Sequence, residues 1–285
     1  MPDPAVSIVL PAYNHERFVA AAVDSVLAQT WPDWELIAID DGSTDATLPV
    51  LQRYTDPRIR VLAQANAGSH ATINRGLALA RGRYLAVLNS DDVYHPQRLR
   101  RLIEVAREHG DPLFAFTAVR LIDEDGQPVA GSHWWRQMYD DILAVWDRTP
   151  AADPERALLA LLWGNLAVST SNFFLSRDVL ANCGGLRRLR YVLDWEFALR
   201  AVTRLPGAAA FLRDETLLDY RLHGANTILG GPIRNHLEAA HIIRRALEQR
   251  DGGRLQRAVR RVHYLERFIR KHESHTREER MNRSR

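Results

Sequence analysis

The stretch Leu85-Ala86-Val87-Leu88-Asn89-Ser90-Asp91-Asp92 joins a short apolar run to two adjacent carboxylates. An apolar run of this length is typical of a buried strand. In open α/β sheets, ligands bind beyond the carboxyl ends of the strands, and carboxylate oxygens suit a hard divalent cation. The stretch therefore predicts a metal and phosphate site at one edge of a sheet.

A second junction of the same kind lies upstream. The apolar run over 35–39 leads into Asp40-Asp41-Gly42-Ser43-Thr44-Asp45, which is acidic and rich in turn formers. If both runs are parallel strands, their acidic ends meet at the same edge of the sheet. Two such ends together indicate a site for a metal-bound nucleotide.

Composition narrows the class of protein. The chain has 285 residues, of which 46% are hydrophobic and 26% charged, and this favours one large folded unit over a disordered chain. The one cysteine, Cys183, excludes an internal disulfide and a thiolate metal cluster. No signal segment or membrane span is evident, which predicts a cytoplasmic protein. The arginines in the first part of the chain are scattered and form no clustered basic patch. We therefore expect no nucleic-acid partner.

Hydrophobic periodicity alternates between strand and helix over the first 120 residues. This order predicts an α/β fold with a Rossmann-like, mostly parallel central sheet flanked by helices. Strands are expected over 6–10, 35–39, 59–63 and 84–88, and helices over 16–29, 45–54, 69–80 and 96–108.

The segment 123–153 breaks this alternation. It is rich in turn formers and contains Trp134, Trp135 and Trp146. Long irregular connections within a compact domain are uncommon unless they are functional, so this segment is predicted to be a substrate loop.

The C-terminal part, 232–285, has a different character. It contains two helical patterns, over 235–249 and 254–272, with an apolar stripe and many arginines opposite it. Two interpretations stay open. Either the helices pack on the domain and expose a solvated basic face, or they contact the inner face of a membrane, a partner or a second copy. The predicted division is a domain over 1–231, with a nucleotide-binding half over 1–120 and a second half over 121–231, followed by a helical extension over 232–285.

Several short motifs, in order, resemble glycosyltransferase family 2 of the GT-A fold. The resemblance spans about 5–228, and its motifs are Val6 to Asn14, Ala38 to Asp45, Asn66-Ala67-Gly68, Asn74-Arg75-Gly76, Asn89-Ser90-Asp91-Asp92, Ser171-Asn172-Phe173, Leu193-Asp194-Trp195-Glu196 and Tyr220-Arg221-Leu222-His223. It implies an inverting enzyme that uses Mn²⁺ or Mg²⁺. Such an enzyme moves a sugar from a nucleotide diphosphate, with UDP expected, to a hydroxyl of a glycan, a lipid-linked saccharide or a protein.

The resemblance also assigns residues to the donor site. Asp91 is the expected metal ligand, with Asp92 and His223 as further candidates. Asn89 stands where the family usually has the first acid of an Asp-x-Asp pair, and is expected to bond the ribose or sugar instead. The donor-binding set implied by the resemblance is Pro11, Ala12, Tyr13, Asp41, Asn66, Gly68, Asn74, Asn89 and Ser90.

Asp194 matches the family's catalytic base, although Leu193 replaces the acid that commonly precedes it. A base near the attacking hydroxyl is what a direct displacement requires. The alternative is that Asp194 only caps a helix. The candidates for the acceptor side are Trp134, Trp135, Asn172, Trp195 and Glu196.

Two other functions remain open at this stage. A sugar nucleotidylyltransferase is expected to have a glycine-rich phosphate loop after the first strand, whereas this chain has Pro11-Ala12-Tyr13-Asn14. A relative that binds nucleotide-sugar or an assembly partner without catalysis is suggested by Asn89 and Leu193.

Overall fold

The fold is that of a computed structural model, which describes residues 3–129, 134–224, 226 and 232–248. Within these residues one eight-stranded sheet runs through the protein in the order β3-β2-β1-β4-β7-β6-β8-β5. The strands are β1 Val6–Ala12, β2 Trp34–Asp40, β3 Ile59–Ala63, β4 Tyr84–Val87, β5 Val93–Tyr94, β6 Phe114–Ile122, β7 Phe174–Ser176 and β8 Ala209–Arg221.

The sheet is mostly parallel, as predicted. Strands β3, β2, β1 and β4 are parallel neighbours, and β6 is parallel to β8. The short strand β7 is antiparallel to both β4 and β6, and β5 is antiparallel to β8. Strands β1 and β4 are fully buried because both faces of the sheet are covered. The carboxyl ends of β1, β2 and β4 consequently meet at one edge.

Helices flank this sheet. They are α1 Val19–Leu27, α2 Thr47–Leu51, α3 Ser69–Leu79, α4 Arg98–His109, α5 Trp134–Arg148, α6 Arg156–Trp163, α7 Arg177–Cys183, α8 Leu193–Arg204 and α9 Pro232–Glu248, with a 3₁₀ turn at Thr170–Asn172. The predicted α/β alternation is confirmed. Helices α1 and α2 are shorter than predicted because the residues before them form loops at the edge of the sheet.

The prediction of an irregular substrate loop over 123–153 is wrong. Helix α5, Trp134–Arg148, occupies half of it. Its buried residues recur at helical spacing and include Trp135, Tyr139, Ile142 and Trp146. Trp135 and Trp146 therefore belong to an apolar stripe that packs on β8 of the sheet, and the turn formers lie outside the helix.

Helix α9 packs against α8 through a buried apolar face that includes Ile242 and Ile243. The carboxylate of Glu238 accepts hydrogen bonds from the backbone N–H groups of Arg190 and Tyr191. This part of the C-terminal extension is thus integrated with the domain. The second predicted helix, over 254–272, lies outside the described residues. Among the described helices, none is long and apolar enough to cross a membrane.

Candidate active site

The loops that follow β1, β2 and β4 lie side by side at the carboxyl edge of the sheet. Ala12 lies opposite Asp40, and Val9 lies opposite Val87. The N–H of Asp41 donates to the carbonyl of Ala12 over 2.8 Å. The two acidic junctions found in the sequence therefore meet at one place in the fold.

Asp41 is buried, and its carboxylate organises the loop that precedes α3. Its two oxygens accept hydrogen bonds from the N–H groups of Ala67 and Gly68, both at 2.9 Å, and from the Gln64 side chain at 2.7 Å. Gly68 has a φ of +84°, which favours glycine. The carboxylate thus shapes one wall of the candidate base pocket.

The opposite wall is the end of β1. Pro11 and Ala12 are buried, whereas the Tyr13 side chain is 45% exposed. Asn14 follows in a left-handed conformation with φ 53°, and its side-chain oxygen accepts a hydrogen bond from the N–H of Thr44. The aromatic ring of Tyr13 is therefore available to a ligand at the mouth of the sheet.

Two further members of the predicted donor set differ in their surroundings. Asn66 is exposed beside this loop. The amide of Asn74 is engaged, since it donates to the carbonyl of Leu186 and accepts from its N–H, both at 2.8 Å. Asn74 therefore fastens α3 to the loop after α7, which corrects its prediction as a direct donor contact.

Three side chains form a cluster at the end of β4. A ligand atom of each of His15, Asp91 and His223 lies within 4.8 Å of the other two. Nε2 of His223 is 3.0 Å from Oδ2 of Asp91, and Nδ1 of His15 is 2.7 Å from the hydroxyl of Ser90. The three residues come from three separate loops, so only the folded chain assembles them.

The electrostatics of this cluster favour cation binding. Burial and the neighbouring His223 lower the pKa of His15, against the opposing charge of Asp91, so its imidazole is neutral at pH 7. Burial raises the pKa of Asp91, but the hydrogen bond from His223 and the interaction with a protonated His15 outweigh this effect and leave the pKa below its usual value. One carboxylate and two imidazoles, each with a ligand atom, thus converge at the end of β4.

Packing fixes the imidazole rings. The ring of Phe18 lies 4.9 Å from that of His223, and the His15 and His223 rings meet edge to face at 5.5 Å. The side chain of Asn226 holds the turn at His223, since it accepts from the His223 N–H and donates to the Arg221 carbonyl. The histidines are therefore pre-arranged.

Asp92 has a structural role here, which corrects its prediction as a metal ligand. It is fully buried, and its oxygens accept hydrogen bonds from the Ser171 hydroxyl and the Arg221 N–H. Burial and the adjacent Asp91 raise the pKa of Asp92 well above its usual value. Arg221 also donates from Nε to the carbonyl of Asp91. This network ties the loop after β4 to the end of β8.

Asn89 and Ser90 are also held by the protein. The Asn89 amide donates to the hydroxyl of Ser169 and accepts from that of Thr170. Ser90 is buried with its hydroxyl on His15. In the described residues, both side chains have protein partners that hold the loop in place, rather than being free to contact a donor.

Asp194 lies half-buried in the first turn of α8, where its carboxylate accepts from the N–H of Trp195 at 2.7 Å. Burial raises its pKa to about 6, although hydrogen bonds from Trp195 and the Asn165 side chain act in the opposite direction. A carboxylate with a pKa near neutrality is suited to accept a proton. The helix begins after Val192, so Asp194 is not its N-cap residue.

The turn beside Asp194 is strained. Nδ2 of Asn165 donates to the carbonyl of Val168, and Val168 adopts φ 69°, which is unfavourable for a β-branched residue. The other amide atom, Oδ1 of Asn165, is buried and has no hydrogen-bond partner among the described residues. An unpaired buried acceptor next to a carboxylate is a feature that needs an explanation.

Tyr220 links the two halves of the site. Burial raises the pKa of its hydroxyl well above the usual value, and the charges of Asp92, Asp91 and Asp194 raise it further. The charges of all three carboxylates therefore act on the same phenol hydroxyl. The ring of Tyr220 stacks on Trp135 at 5.8 Å.

Several candidates for the acceptor side are interior residues instead. Asn172 is fully buried, with its amide bonded to Arg98 and Thr117, and the indole N–H of Trp195 donates to the Leu161 carbonyl. Glu196 forms a buried ion pair with Arg200. The polar groups of all three residues are thus engaged by other parts of the protein, and their acceptor roles stay predictions. Trp135 is buried against Tyr220, and the Trp134 side chain lies outside what the structure describes.

Sequence reasoning missed three residues of this region. Asp40 is buried next to Asp41, and its Oδ1 has no partner in the described part of the chain. His15 and Asn165 were not selected because a lone histidine or asparagine in a loop carries no periodic signal. The position of His15 directly after the Pro11 to Asn14 motif is the signal that could have found it.

A mostly parallel sheet whose carboxyl edge carries a His/Asp cluster and a carboxylate of raised pKa is the arrangement expected of an α/β nucleotide-binding enzyme. The family model described as "Glycosyl transferase family 2" matches residues 7–183. The chain belongs to this family.

Several curated relatives match less than half of the chain at the highest identities. The succinoglycan biosynthesis protein ExoO of Rhizobium meliloti is 43% identical over 44% of the chain and 36% of its own length. Chondroitin synthase of Escherichia coli is 36% identical over 46% of the chain and 20% of its own length. An uncharacterized glycosyltransferase of Nostoc is 29% identical over 82% of the chain and 67% of its own length. The chain thus spans only part of the length of these relatives.

Solved structures show the same fold. Staphylococcus aureus TarS 1-349 in complex with UDP-GlcNAc has a TM-score of 0.64 at 17% identity, over 85% of this chain and 66% of TarS. The mannosyltransferase PcManGT of Pyrobaculum calidifontis, in complex with GDP-Man and Mn²⁺, has a TM-score of 0.63 at 15% identity, over 94% of this chain and 70% of PcManGT. The GT-A architecture predicted from the sequence is confirmed by these similarities.

Proposed function

We propose that the protein transfers a sugar from a nucleotide diphosphate, with UDP as the nucleotide, to a hydroxyl of a growing glycan or a lipid-linked saccharide, with inversion at the anomeric carbon. The observation that supports this proposal is the presence, in one fold, of the Asp91 cluster and of Asp194 with its raised pKa. The first offers a cation site for the leaving diphosphate, and the second offers a base for the acceptor.

The base would bind between Tyr13 and the loop held by Asp41. The exposed ring of Tyr13 offers an apolar face. The carboxylates of Asp40 and Asp41 lie at the carboxyl end of β2. A carboxylate oxygen accepts a hydrogen bond from the ring N–H of uracil, and the unpaired Oδ1 of Asp40 adds a second acceptor to the one predicted from sequence. Two carboxylate acceptors favour a base with a ring N–H donor, such as the uracil of UDP, over a base that presents only acceptors to these carboxylates.

His15, Asp91 and His223 would hold the divalent metal. Two imidazole nitrogens with one carboxylate favour Mn²⁺ over Mg²⁺, because Mg²⁺ prefers an all-oxygen environment. A bound divalent cation supplies charge neutralisation for the departing diphosphate. His15 offers the ligand that the neutral Asn89 does not. The family's first acid is therefore replaced in function by a residue from the loop after β1.

The chemical step would be one displacement. The acceptor oxygen forms a bond to the anomeric carbon while the bond from that carbon to the diphosphate oxygen breaks, and its electron pair leaves with the nucleotide. The carboxylate of Asp194 takes the hydroxyl proton. Attack from the face opposite the diphosphate inverts the configuration.

The acceptor hydroxyl would be oriented by Asn165. The Asn165 side chain contacts Asp194 through a hydrogen bond, and its unpaired Oδ1 could accept a hydrogen bond from a second hydroxyl of the acceptor sugar. Two acceptors of this kind fix a diol in one orientation, which is how positioning contributes to the rate.

Asn165→Ala is accordingly expected to raise the KM for the acceptor about tenfold and to leave the Kd for Mn²⁺-UDP unchanged, as loss of about one hydrogen bond to a neutral group implies. Steady-state kinetics with varied acceptor and calorimetry with UDP measure the two effects. Asn182→Ala, which removes the amide of an exposed asparagine on α7, is the matched control and should retain a near-normal KM. A change in UDP affinity without a change in acceptor KM would contradict this role.

The proposed function is tested by a panel of nucleotide sugars. The full chain is incubated with UDP-sugars or GDP-mannose, with Mn²⁺, Mg²⁺ or chelator, and release of the nucleotide diphosphate is measured with and without glycan acceptors. We expect release from at least one UDP-sugar that requires a divalent cation and increases with acceptor. Absence of release from every donor, together with saturable UDP binding, would favour a non-catalytic binding protein.

A further inference from the structure

A second polar cavity lies away from the edge of the sheet, between α8, α9 and the loop that precedes α8. It has a volume of about 180 Å³, more than ten times the roughly 10–15 Å³ that one water requires. Its polar lining consists of Arg187, Arg188, Glu196, Arg200, His241 and Arg245. The cavity is therefore large enough for a small polyatomic ion.

This cavity is separate from the proposed catalytic site. Helix α8 contributes Glu196 and Arg200 to it, one turn apart on the same face. Successive residues of an α-helix are rotated by about 100°, so Asp194 and Glu196 point about 200° apart. A ligand in the cavity would consequently not occupy the position of the acceptor hydroxyl.

The charges of the lining do not balance. Glu196 is its one acidic residue, and its oxygens lie 2.7 Å from Arg187 and 2.8 Å from Arg200. Arg200 donates its remaining N–H groups to the backbone carbonyls of Cys183 and Gly185. One carboxylate thus faces four guanidinium groups, which leaves an excess of three positive charges around the cavity.

The protonation equilibrium of Arg187 reflects this excess. Burial lowers the pKa of Arg187, and the charges of Arg200 and Arg245 lower it further, against the opposing effect of Glu196. Like charges are therefore close enough to interact across the cavity. A bound anion would relieve this repulsion.

Arg188 and Arg245 are the groups free to bind it. Both side chains are exposed, and neither makes an ion pair or hydrogen bond with any residue in the described ranges. They approach the cavity from two different elements, the loop before α8 and helix α9. Two unpaired guanidinium groups from two different elements can bind one multivalent oxyanion.

We propose that this cavity is a binding site for a phosphate group. The guanidinium fork binds phosphate oxygens in pairs, and the tetrahedral ion offers enough oxygens for Arg187, Arg188 and Arg245 together. The phosphate could be free in solution or part of a lipid headgroup, which present the same oxygens. The site is independent of the proposed transfer reaction, since it uses none of its residues.

The test is a titration of the full chain with inorganic phosphate at low ionic strength, in chelator so that no divalent cation attracts phosphate to Asp91. The wild type is expected to bind one phosphate per chain. The double variant Arg188→Gln/Arg245→Gln is expected to bind at least tenfold more weakly. The matched control is Arg53→Gln/Arg60→Gln, which removes the same charge from two exposed arginines at the β3 side of the sheet and should bind like the wild type.

Vesicles distinguish the two sources of phosphate. Cosedimentation with phosphatidic acid in phosphatidylcholine that is lost in the Arg188→Gln/Arg245→Gln variant assigns a headgroup, whereas phosphate binding without cosedimentation assigns the free ion. The proposal is overturned if the wild type shows no saturable phosphate binding, or if the double variant and the control lose it equally. UDP binding measured with Mn²⁺ in all variants should not change, and it shows that each is folded.

Discussion

Asp91→Asn is expected to lower sugar transfer by about 10³-fold, since charge neutralisation by a metal is worth several kcal/mol in the transition state. The substitution removes the one carboxylate of the His15, Asp91 and His223 cluster. Metal-dependent UDP binding should weaken in parallel, because the same ligand acts before and during the reaction. Initial rates over a Mn²⁺ series and calorimetry with UDP measure both effects.

Asp125→Asn is the matched control for this variant. Asp125 is an exposed acid in the turn after β6. Its backbone N–H donates to Asp123, and, within the described residues, its carboxylate makes no hydrogen bond to His15, Asp91 or His223. Its substitution should leave the rate within twofold of the wild type. Full activity of Asp91→Asn, or of the wild type in excess chelator, would contradict a metal-dependent mechanism.

Asp194→Asn is expected to lower turnover by about 10²–10⁴-fold, the usual contribution of a general base. Donor affinity should be unchanged, because the role is confined to the transition state. The melting temperature should not fall, since burial disfavours the ionised carboxylate and asparagine carries no charge. Single-turnover rates, UDP calorimetry and thermal melts measure the three quantities.

The role of Asp194 as a base also predicts how kcat/KM changes with pH. The base must be ionised, and the pKa of Asp194 is raised to about 6 by burial. The wild-type kcat/KM is therefore expected to be level above about pH 7 and to fall tenfold per pH unit below about pH 6. The residual activity of Asp194→Asn should not show this fall below about pH 6.

Asp178→Asn is a control that distinguishes two roles of Asp194, a catalytic base and a negative charge that stabilises the N-terminus of a helix. Asp178 is an exposed acid in the first turn of α7, as Asp194 is in α8. If the charge near a helix N-terminus were the whole role of Asp194, both substitutions would lower stability modestly and neither would affect the pH profile. Loss of UDP binding in step with activity in Asp194→Asn would place the base elsewhere.

The strand ends were predictable from the sequence because their signal is local. An apolar run followed by turn-forming acids identifies both the edge of the sheet and the residues that lie there, as at Asp41 and Asp91. The helical stripe of α5 was also present in the sequence, at Trp135, Tyr139 and Trp146. It was obscured because turn formers flank that helix on both sides.

The rest of the site depends on contacts between distant loops. His15 meets Ser90 across 75 residues, and His223 meets Asp91 across 132. No local pattern encodes such a pair. Asn172 and Glu196 show the converse problem, since polar residues next to a motif can be consumed by buried partners such as Arg98 and Arg200. Burial decides which motif residues face the ligand, and the sequence does not report it.

Pulsed electron paramagnetic resonance of Mn²⁺ bound with UDP tests the central claim most directly. The account predicts one bound Mn²⁺ per chain, with nitrogen couplings from two imidazoles, of which one is lost in His15→Ala and the other in His223→Ala. Phosphorus coupling from UDP should accompany them. A bound Mn²⁺ with phosphorus coupling but no imidazole nitrogen in the wild type would contradict the assignment of His15, Asp91 and His223 as the metal site.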